Sequence, residues 1–269
     1  MKKKGYGKGI ITAFFLCILL IPFSPVFSSM AVEEIVNRAN IASYYAGDDG
    51  IADAEMKIYD SQGRVRERQF RIIRKDLEDG GDQFYYVYFF EPGDVRKTVF
   101  MVHKHTDRDD DRWLYLPALD LVKRIAASDK RTSFVGSHFF YEDVSGRSPE
   151  DDRHELIEET EAHYVLKNIP KDADIVEFSS YTVWIDKNTF LPMKAEYLDK
   201  NGKLYRRMTV EDVSVIQGFP TVIKAKMEDL NSGGYTEMRF RSVKYNVNVP
   251  EDIFSERYLR RPPRQYIRR

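Results

Sequence analysis

Cysteine is almost absent from this 269-residue chain, which contains a single one, Cys17. A lone cysteine excludes a disulfide framework, a thiol redox pair and a cysteine-based zinc finger. Long apolar runs are also scarce, because residues 10–21 form the one nearly continuous run and the mean hydropathy is −0.50. The composition therefore excludes a polytopic membrane protein, since each spanning helix needs about 20 apolar residues.

An excess of charge of one sign is lacking as well, since 42 Lys+Arg stand against 43 Asp+Glu and the net charge is −1. This balance excludes a polycation that coats nucleic acid. The 15 glycines and 11 prolines are not gathered into a linker, so the composition does not divide the chain into several domains. The 17 phenylalanines and 17 tyrosines are typical of a chain with a packed core.

Familiar catalytic motifs are missing too: G-x-S-x-G, the P-loop, G-x-G-x-x-G and H-E-x-x-H are all absent. His103 and His105 could bind a metal with His138 as a third ligand, but such histidines are more often structural. The acidic residues 107–111 lack the glycine and the distal glutamate of a calcium loop, which indicates a solvated hairpin tip. We therefore predict no catalytic residue and no metal site.

The N-terminus has the pattern of a secretory signal peptide. Four lysines and no acidic residue precede the apolar run, and prolines and small residues follow it. We expect cleavage after Ala31, with Ser29 and Ala31 at the two small-residue positions, and export to the periplasm. An uncleaved inner-membrane anchor is the alternative. Cleavage would remove Cys17 and leave 38 Lys+Arg against 43 Asp+Glu.

The rest of the chain is dominated by strand patterns. Residues 32–46 carry apolar side chains at helical spacing, and about ten to twelve alternating segments follow. Strands and helices do not alternate, so we predict a mainly β (α+β) fold in which one large antiparallel sheet is strongly curved or closed into a barrel. We divide the chain into a signal peptide (1–31), a sheet domain (32–258) and a basic C-terminal tail (259–269).

The predicted sheet has an apolar face that a single helix is too small to cover. A curved sheet of this size tends to enclose a cavity. An apolar cavity in an exported protein suggests a lipid or an acyl chain as the ligand. Our candidates for lining this cavity are Met56, Ile58, Ile223, Met227, Met238 and Phe240.

Arginine is concentrated at the C-terminus, where six arginines and two tyrosines lie between residues 257 and 269. In an exported protein this pattern is better suited to anionic lipid headgroups or an acidic partner than to nucleic acid. A solvated tail after the last strand is the alternative interpretation.

Residues 112–143 carry the most specific pattern in the chain. They contain the segments WLYLPAL, SFVGS and YED, and their motif residues are Trp113, Pro117, Arg124, Gly136, Glu142 and Asp143. The segment resembles a signature of the LolA-like family, the outer-membrane lipoprotein-sorting proteins, and is most similar to the branch often found beside RND-type exporters. The resemblance, over about 32–258, implies an incomplete antiparallel β-barrel whose apolar concave face is covered by helices and loops. It also implies an acyl chain as guest, without a cofactor.

Residues 128–149 are irregular, rich in aromatics and contain Gly136 and Gly146. We predict that this segment is a lid or mouth over the cavity. The lid candidates are Phe134, Phe139, Phe140 and Tyr141. In the alternative, these aromatics plug the sheet permanently and Arg124 pairs with Glu142 or Asp143.

Two functions agree with these observations. The first is a periplasmic carrier that binds the acyl chains of a lipid or lipoprotein for transport to the outer membrane. The second is a non-enzymatic accessory module that docks on an RND-type exporter or another envelope complex and fills the cavity with its own side chains. An extractable guest distinguishes them. In both cases we expect a monomer with transient membrane contact.

Overall fold

The computed structural model describes residues 1–2 and 30–268, and a thirteen-stranded antiparallel sheet lies between residues 49 and 245. The first six strands are β1 (Asp49–Tyr59), β2 (Val65–Asp76), β3 (Gln83–Glu91), β4 (Val99–Lys104), β5 (Asp111–Leu116) and β6 (Leu121–Ile125). The other seven are β7 (Asp152–Glu159), β8 (His163–Pro170), β9 (Phe178–Asp186), β10 (Pro192–Asp199), β11 (Leu204–Ile216), β12 (Phe219–Asp229) and β13 (Gly234–Tyr245). Helices are α1 (Val32–Tyr44), α2 (Tyr141–Ser145), α3 (Arg257–Arg260) and α4 (Arg264–Ile267).

The strand order is β6-β5-β4-β3-β2-β1-β13-β12-β11-β10-β9-β8-β7, so β6 and β7 are the two edges and the sheet does not close. The prediction of a mainly β (α+β) fold with one large antiparallel sheet and few helices is confirmed, and of its two forms, strongly curved or closed into a barrel, the closed barrel is excluded. The estimate of ten to twelve strands from the sequence pattern was too low because β7 was not recognised as a strand. That strand has the sequence DRHELIEE, and a register shift between Leu156 and Glu158 breaks its alternation at the exposed edge.

Helix α1 forms where apolar side chains recur at helical spacing, and Ile35 and Ala39 are its buried residues. The helix contacts β7 and β12, which lie far apart in the strand order, so it lies across one face of the sheet. Gly47 follows the helix with φ of 67°, which glycine adopts at little cost. The side chain of Asn246 accepts a hydrogen bond from the Asp48 amide (2.9 Å) and holds this turn against the end of β13.

The segment that joins β6 to β7, residues 126–151, must connect opposite edges of the sheet. It therefore crosses the face that α1 also covers, and we call it the strap. Within the strap, Phe134 packs against side chains of β2, β3 and β4, whereas the Asp143 carboxylate pairs with Arg206 on β11. These contacts with widely separated strands hold the strap across the concave face.

Both faces of the β2–β5 region are covered. On the concave side a buried cluster unites Phe70, Phe89 and Phe100 with Phe134 of the strap. On the convex side Tyr86, Met101 and Trp113 pack against Ile253, Phe254 and Leu259 of the C-terminal segment. This arrangement explains why β3, whose sequence is QFYYVYFFE, is apolar on both sides.

The predicted basic tail packs against the sheet rather than extending into solvent as a solvated tail. Leu259 has an exposed fraction of 0%, and Tyr258 and Tyr266 pack against the convex cluster. The Arg71 guanidinium donates hydrogen bonds to the carbonyls of Tyr266 (2.7 Å) and Arg268 (3.1 Å). The predicted signal peptide, with Cys17, lies outside the described residues apart from its ends. In the described part of the chain, no helix has the length and apolarity needed to cross a membrane.

Candidate functional site

A cavity of about 490 Å³ lies between the concave face of the sheet, helix α1 and the strap. It exists because the strap fills only part of that face. The strap aromatics occupy much of the region above β2–β5, and the cavity lies mainly above β8–β13, with residues of β1, β2 and β3 also in its lining. Sheet side chains that line it include Leu166, Val183, Ala195, Met208, Met227 and Met238. The alternation of each strand points one apolar row into the cavity and the polar row to the convex side.

Three methionines lie close together in the cavity floor. Met208 pairs with Met227 across β11 and β12, and Met238 pairs with Ala225 across β12 and β13. Met227 and Met238 are 3% and 7% exposed. Methionine side chains are unbranched and polarizable, so they adapt to the shape of an apolar guest. The floor of the cavity is therefore apolar and adaptable in shape.

The six predicted cavity residues divide into two groups. Met227, Met238 and Phe240 line the cavity, whereas Met56 (0% exposed) and Ile58 (2%) are buried outside its lining. Ile223 is half-buried and also lies outside the lining, whereas Val222 and Ala225, close to it on β12, line the cavity. Pairing between β11 and β12 is irregular at this point, opposite Asp212. Alternation predicts the face of a residue but not which part of the face the strap covers.

The four predicted lid aromatics have three different roles. Phe134 (1% exposed) and Tyr141 (7%) belong to the concave cluster, and their ring centroids lie 5.5 and 5.0 Å from that of Phe100. Phe139 lines the cavity. Phe140 instead lies 4.0 Å from the Arg206 guanidinium, measured to the ring centroid. Phe134 also lies in the cavity lining, but it is almost fully buried whereas Phe139 is half-buried, so Phe139 presents more of its ring to the cavity.

A buried ionic cluster fastens the strap where it reaches the cavity. Glu142 is 2% exposed and pairs with Arg131, with Lys130 at 3.4 Å and with Arg147 at 3.5 Å. Burial alone would raise the pKa of Glu142, but the three cations lower it. The carboxylate therefore stays ionised and binds both limbs of the strap, since Lys130 and Arg131 precede α2 and Arg147 follows it.

The strap is also tied to the β8–β9 turn. The Arg131 Nε and Nη2 atoms donate hydrogen bonds to the two carboxylate oxygens of Glu177, each at 2.7 Å. Burial alone would raise the pKa of Glu177, but the hydrogen bonds and charge of Arg131 lower it from 4.5 to about 2. This bidentate pair anchors the strap to the half of the sheet that contains the cavity.

We expect this anchor to weaken in acid. The folded-state pKa of Glu177 lies below its ordinary value of 4.5, so its stabilising effect is complete above that pH and is lost as the pH falls towards about 2. Because the side chain is 40% exposed, Glu177→Gln should cost only about 1 kcal/mol at neutral pH. Urea unfolding of both proteins across this pH range should show the difference shrinking, and a difference independent of pH would contradict the anchor.

The predicted motif residues are spread over the sheet, a turn and the strap. Trp113 is buried on the convex side with the Arg124 guanidinium 5.6 Å from its ring, and Pro117 begins a single turn, Pro117–Leu119. Arg124 pairs with Asp111, so the alternative that paired it with Glu142 or Asp143 was wrong. The carbonyl of Gly136, which has a φ of 78°, accepts a hydrogen bond from Arg66 (3.0 Å).

The three histidines considered for a metal site are held by separate partners. His103 Nε2 lies 2.6 Å from the Phe254 carbonyl oxygen, His105 Nδ1 lies 2.8 Å from Asp82, and His138 Nδ1 lies 2.8 Å from the Thr236 hydroxyl. Among residues 1–2 and 30–268, no group of three or more His, Cys, Asp or Glu side chains is arranged to hold a metal ion.

Sequence reasoning missed the contributions of α1 and of the ionic cluster. Ala39 and Ser43 of α1 and Arg147 of the strap line the cavity. The helical period of α1 indicates a buried face, so its role as a roof was accessible from the sequence. The partners of Arg131 and Arg147 depend on where the strap crosses the sheet, and no local pattern encodes that path.

Comparison with known proteins shows which family has this architecture. A family model described as "Uncharacterized protein" matches residues 81–261. A solved protein from Vibrio parahaemolyticus, described as an outer membrane lipoprotein-sorting protein domain, is 30% identical with a TM-score of 0.76, and the match covers 85% of this chain and 97% of that one. No curated protein matches the chain.

Two further solved structures share the fold. A DUF1329 family protein from Desulfovibrio piger is 28% identical with a TM-score of 0.78, and the match covers 84% of this chain and 96% of that one. A LolA superfamily protein from Nitrosomonas europaea is 19% identical with a TM-score of 0.66, and the match covers 86% and 100%. With the open sheet, the strap and the covered concave face, these matches show that the chain belongs to the LolA-like family of outer-membrane lipoprotein-sorting proteins.

Proposed function

We propose that this protein is a periplasmic carrier that binds the acyl chains of a lipid or lipoprotein in the cavity beneath the strap. The observation that carries the proposal is the cavity itself, about 490 Å³ and floored by apolar side chains. That volume lies within the range of about 300–1,000 Å³ typical of small-molecule sites. The related Vibrio protein, described as a lipoprotein-sorting domain, supports the same class of guest. Export through the N-terminal signal would place the carrier in the periplasm.

The energetics of acyl binding favour a carrier that must be made to release its guest. Burial of hydrocarbon contributes about 0.8 kcal/mol per CH₂, so a sixteen-carbon chain gains on the order of 10 kcal/mol before ordering costs. Spontaneous loss of such a guest to water is slow. Delivery therefore needs a membrane or a partner that accepts the chain, together with movement of α1 or the strap.

The direct test is mass spectrometry of an organic extract from protein purified from the periplasm without detergent. We expect a stoichiometric acyl lipid, and its mass would define the guest class. Protein that is empty and also fails to take up a fluorescent fatty acid would contradict the carrier. That result would favour the accessory module that docks on an exporter.

A pair of substitutions in the strap separates a lid from a plug. Phe139 lines the cavity, so Phe139→Ala should weaken binding or speed release of a fluorescent fatty acid while leaving stability within about 1 kcal/mol. Phe140 packs on Arg206, so Phe140→Ala should reduce stability and serves as the matched control. Lost stability with unchanged lipid binding in Phe139→Ala would identify the strap as a permanent plug.

A further inference from the structure

A second, polar pocket of about 350 Å³ adjoins the apolar cavity. The two share Glu142, Gly146 and Ser148 in their linings, so the strap forms the wall between them. Tyr44 packs directly on Gly146 in this wall, since a Cβ atom at Gly146 would lie 2.5 Å from Cζ of Tyr44. The opposite wall of the polar pocket is the β4–β5 hairpin, from Lys104 to Arg112.

Two cations line the polar pocket and are almost fully buried. Lys104 is 4% exposed and Arg112 is 3% exposed. The acceptor for the Lys104 ammonium, within the described residues, is the Ser145 carbonyl oxygen at 2.7 Å. Arg112 Nη2 donates to Asp110 at 2.6 Å, but its Nε and Nη1 atoms are buried and have no partner in the described part of the chain. Buried donors in proteins are nearly always paired, so the unpaired Nε and Nη1 groups of Arg112 indicate a ligand that is rich in hydrogen-bond acceptors.

The electrostatics of Lys104 agree with that reading. Burial lowers the pKa of Lys104 from 10.5 to about 8, since nearby carboxylates only partly offset its desolvation. The ammonium lies 5.0 Å from the Tyr44 ring centroid, a contact that replaces only part of its hydration. An anionic oxygen in the pocket would stabilise the charged form of this lysine.

The outer rim of the pocket has the opposite charge. Asp107, Asp109 and Glu150 line it and are exposed. Asp110 is paired with Arg112, Lys130 lies 3.7 Å from Asp151 and 4.0 Å from Asp109, and Lys171 lies 3.7 Å from Glu150. Arg108, also on the rim, pairs with Asp111. A group that carries both charges, with its anion inward and its cation outward, matches this arrangement better than a simple anion.

We propose that the polar pocket holds the head of a zwitterionic phospholipid, with the phosphate ester beside Lys104 and Arg112 and the ammonium at the rim carboxylates. This inference rests on the proposed function, because the acyl chain of the same molecule would occupy the adjoining cavity. Guanidinium and ammonium groups are the usual partners of phosphate oxygens in proteins. The guest class is then a phospholipid rather than a free fatty acid.

The test compares two lipids with the same acyl chain, lysophosphatidylethanolamine and the uncharged monoacylglycerol, by displacement of a fluorescent fatty acid from the full-length mature protein. We expect at least a tenfold preference for the phospholipid. Arg112→Gln and Lys104→Gln should reduce this preference to less than threefold and leave monoacylglycerol affinity unchanged, which also shows that the variants fold. Lys123→Gln, an exposed lysine on the edge strand β6, is the matched control and should retain the preference.

A rim variant keeps the test decisive if the buried substitutions prevent folding. The side chains of Asp109 and Glu150 are 68% and 85% exposed, so Asp109→Asn with Glu150→Gln should fold and weaken phospholipid binding alone. Equal affinities for the two lipids in all proteins would overturn the headgroup pocket and leave the carrier intact. Binding of neither lipid would overturn the carrier itself. Saturable binding of inorganic phosphate with equal lipid affinities would show a free-phosphate site and overturn the headgroup assignment.

Discussion

Ala225→Phe should abolish acyl binding while leaving the protein folded. Ala225 is 8% exposed and lines the middle of the cavity, between Val210 and Met238 in the strand register. A phenyl ring there displaces about six methylenes of the guest, which at about 0.8 kcal/mol each amounts to about 5 kcal/mol, or more than a thousandfold in affinity. Titration with a fluorescent fatty acid measures the loss.

The matched control for this substitution is Ala173→Phe, at an exposed alanine in the β8–β9 turn. It adds the same ring outside the cavity and should leave acyl binding unchanged. Because the cavity accommodates the new ring, the stability of Ala225→Phe should stay within about 1 kcal/mol of the natural protein. Unaltered fatty-acid affinity in a folded Ala225→Phe protein would mean that the guest binds elsewhere.

Among the single substitutions that affect the attachment of the strap, Arg206→Met on β11 should cause the largest loss of stability. Arg206 is 2% exposed and pairs with Asp143, and its guanidinium lies 4.0 Å from the ring centroid of Phe140 and 5.2 Å from that of Tyr197. Removing one partner of a buried ion pair costs about 3–5 kcal/mol. The Asp143 side chain is 20% exposed, so the lower end of that range, about 3 kcal/mol, is expected in urea unfolding.

The double variant Arg206→Met/Asp143→Asn tests the origin of that loss. The Phe140 amide donates a hydrogen bond of 2.6 Å to the Asp143 carboxylate. Asparagine retains an oxygen that can accept this hydrogen bond, but it removes the negative charge that Arg206→Met leaves uncompensated. At least about 1 kcal/mol should be recovered relative to Arg206→Met. If the double variant is less stable than Arg206→Met, the lost interaction is packing against the two rings and not the charge pair.

The sheet was predictable because its information is local. In β12 and β13, apolar Ala225, Met227 and Met238 alternate with charged side chains, and turns such as residues 200–202 mark the ends of strands. Strand β7 was missed because an exposed edge strand needs no apolar row. The less exposed positions of the strand are Asp152, His154 and Leu156, so polar residues hide its alternation from a hydrophobicity pattern.

The site was only partly predictable because it depends on contacts between distant residues. Met56 and Met227 have the same pattern in sequence, yet the first is buried outside the cavity lining and the second lines the cavity. The pairing of Asp143 with Arg206 joins residues 63 positions apart. The alternation of apolar and polar residues predicts on which face of the sheet a side chain lies. The path of the strap decides which of the residues on that face line the cavity.

The pairing of β1 with β13 bears on the order in which the chain folds. These two strands come from opposite ends of the domain and form the middle of the sheet, with Met56 opposite Met238. Such a contact has a very large sequence separation, and its loop-closure cost makes it late and slow. The cavity spans this junction, since Phe70 and Ile72 lie on one side of it and Met238 and Phe240 on the other. A chain that emerges N-terminus first therefore has no complete cavity until β13, its last strand, is in place.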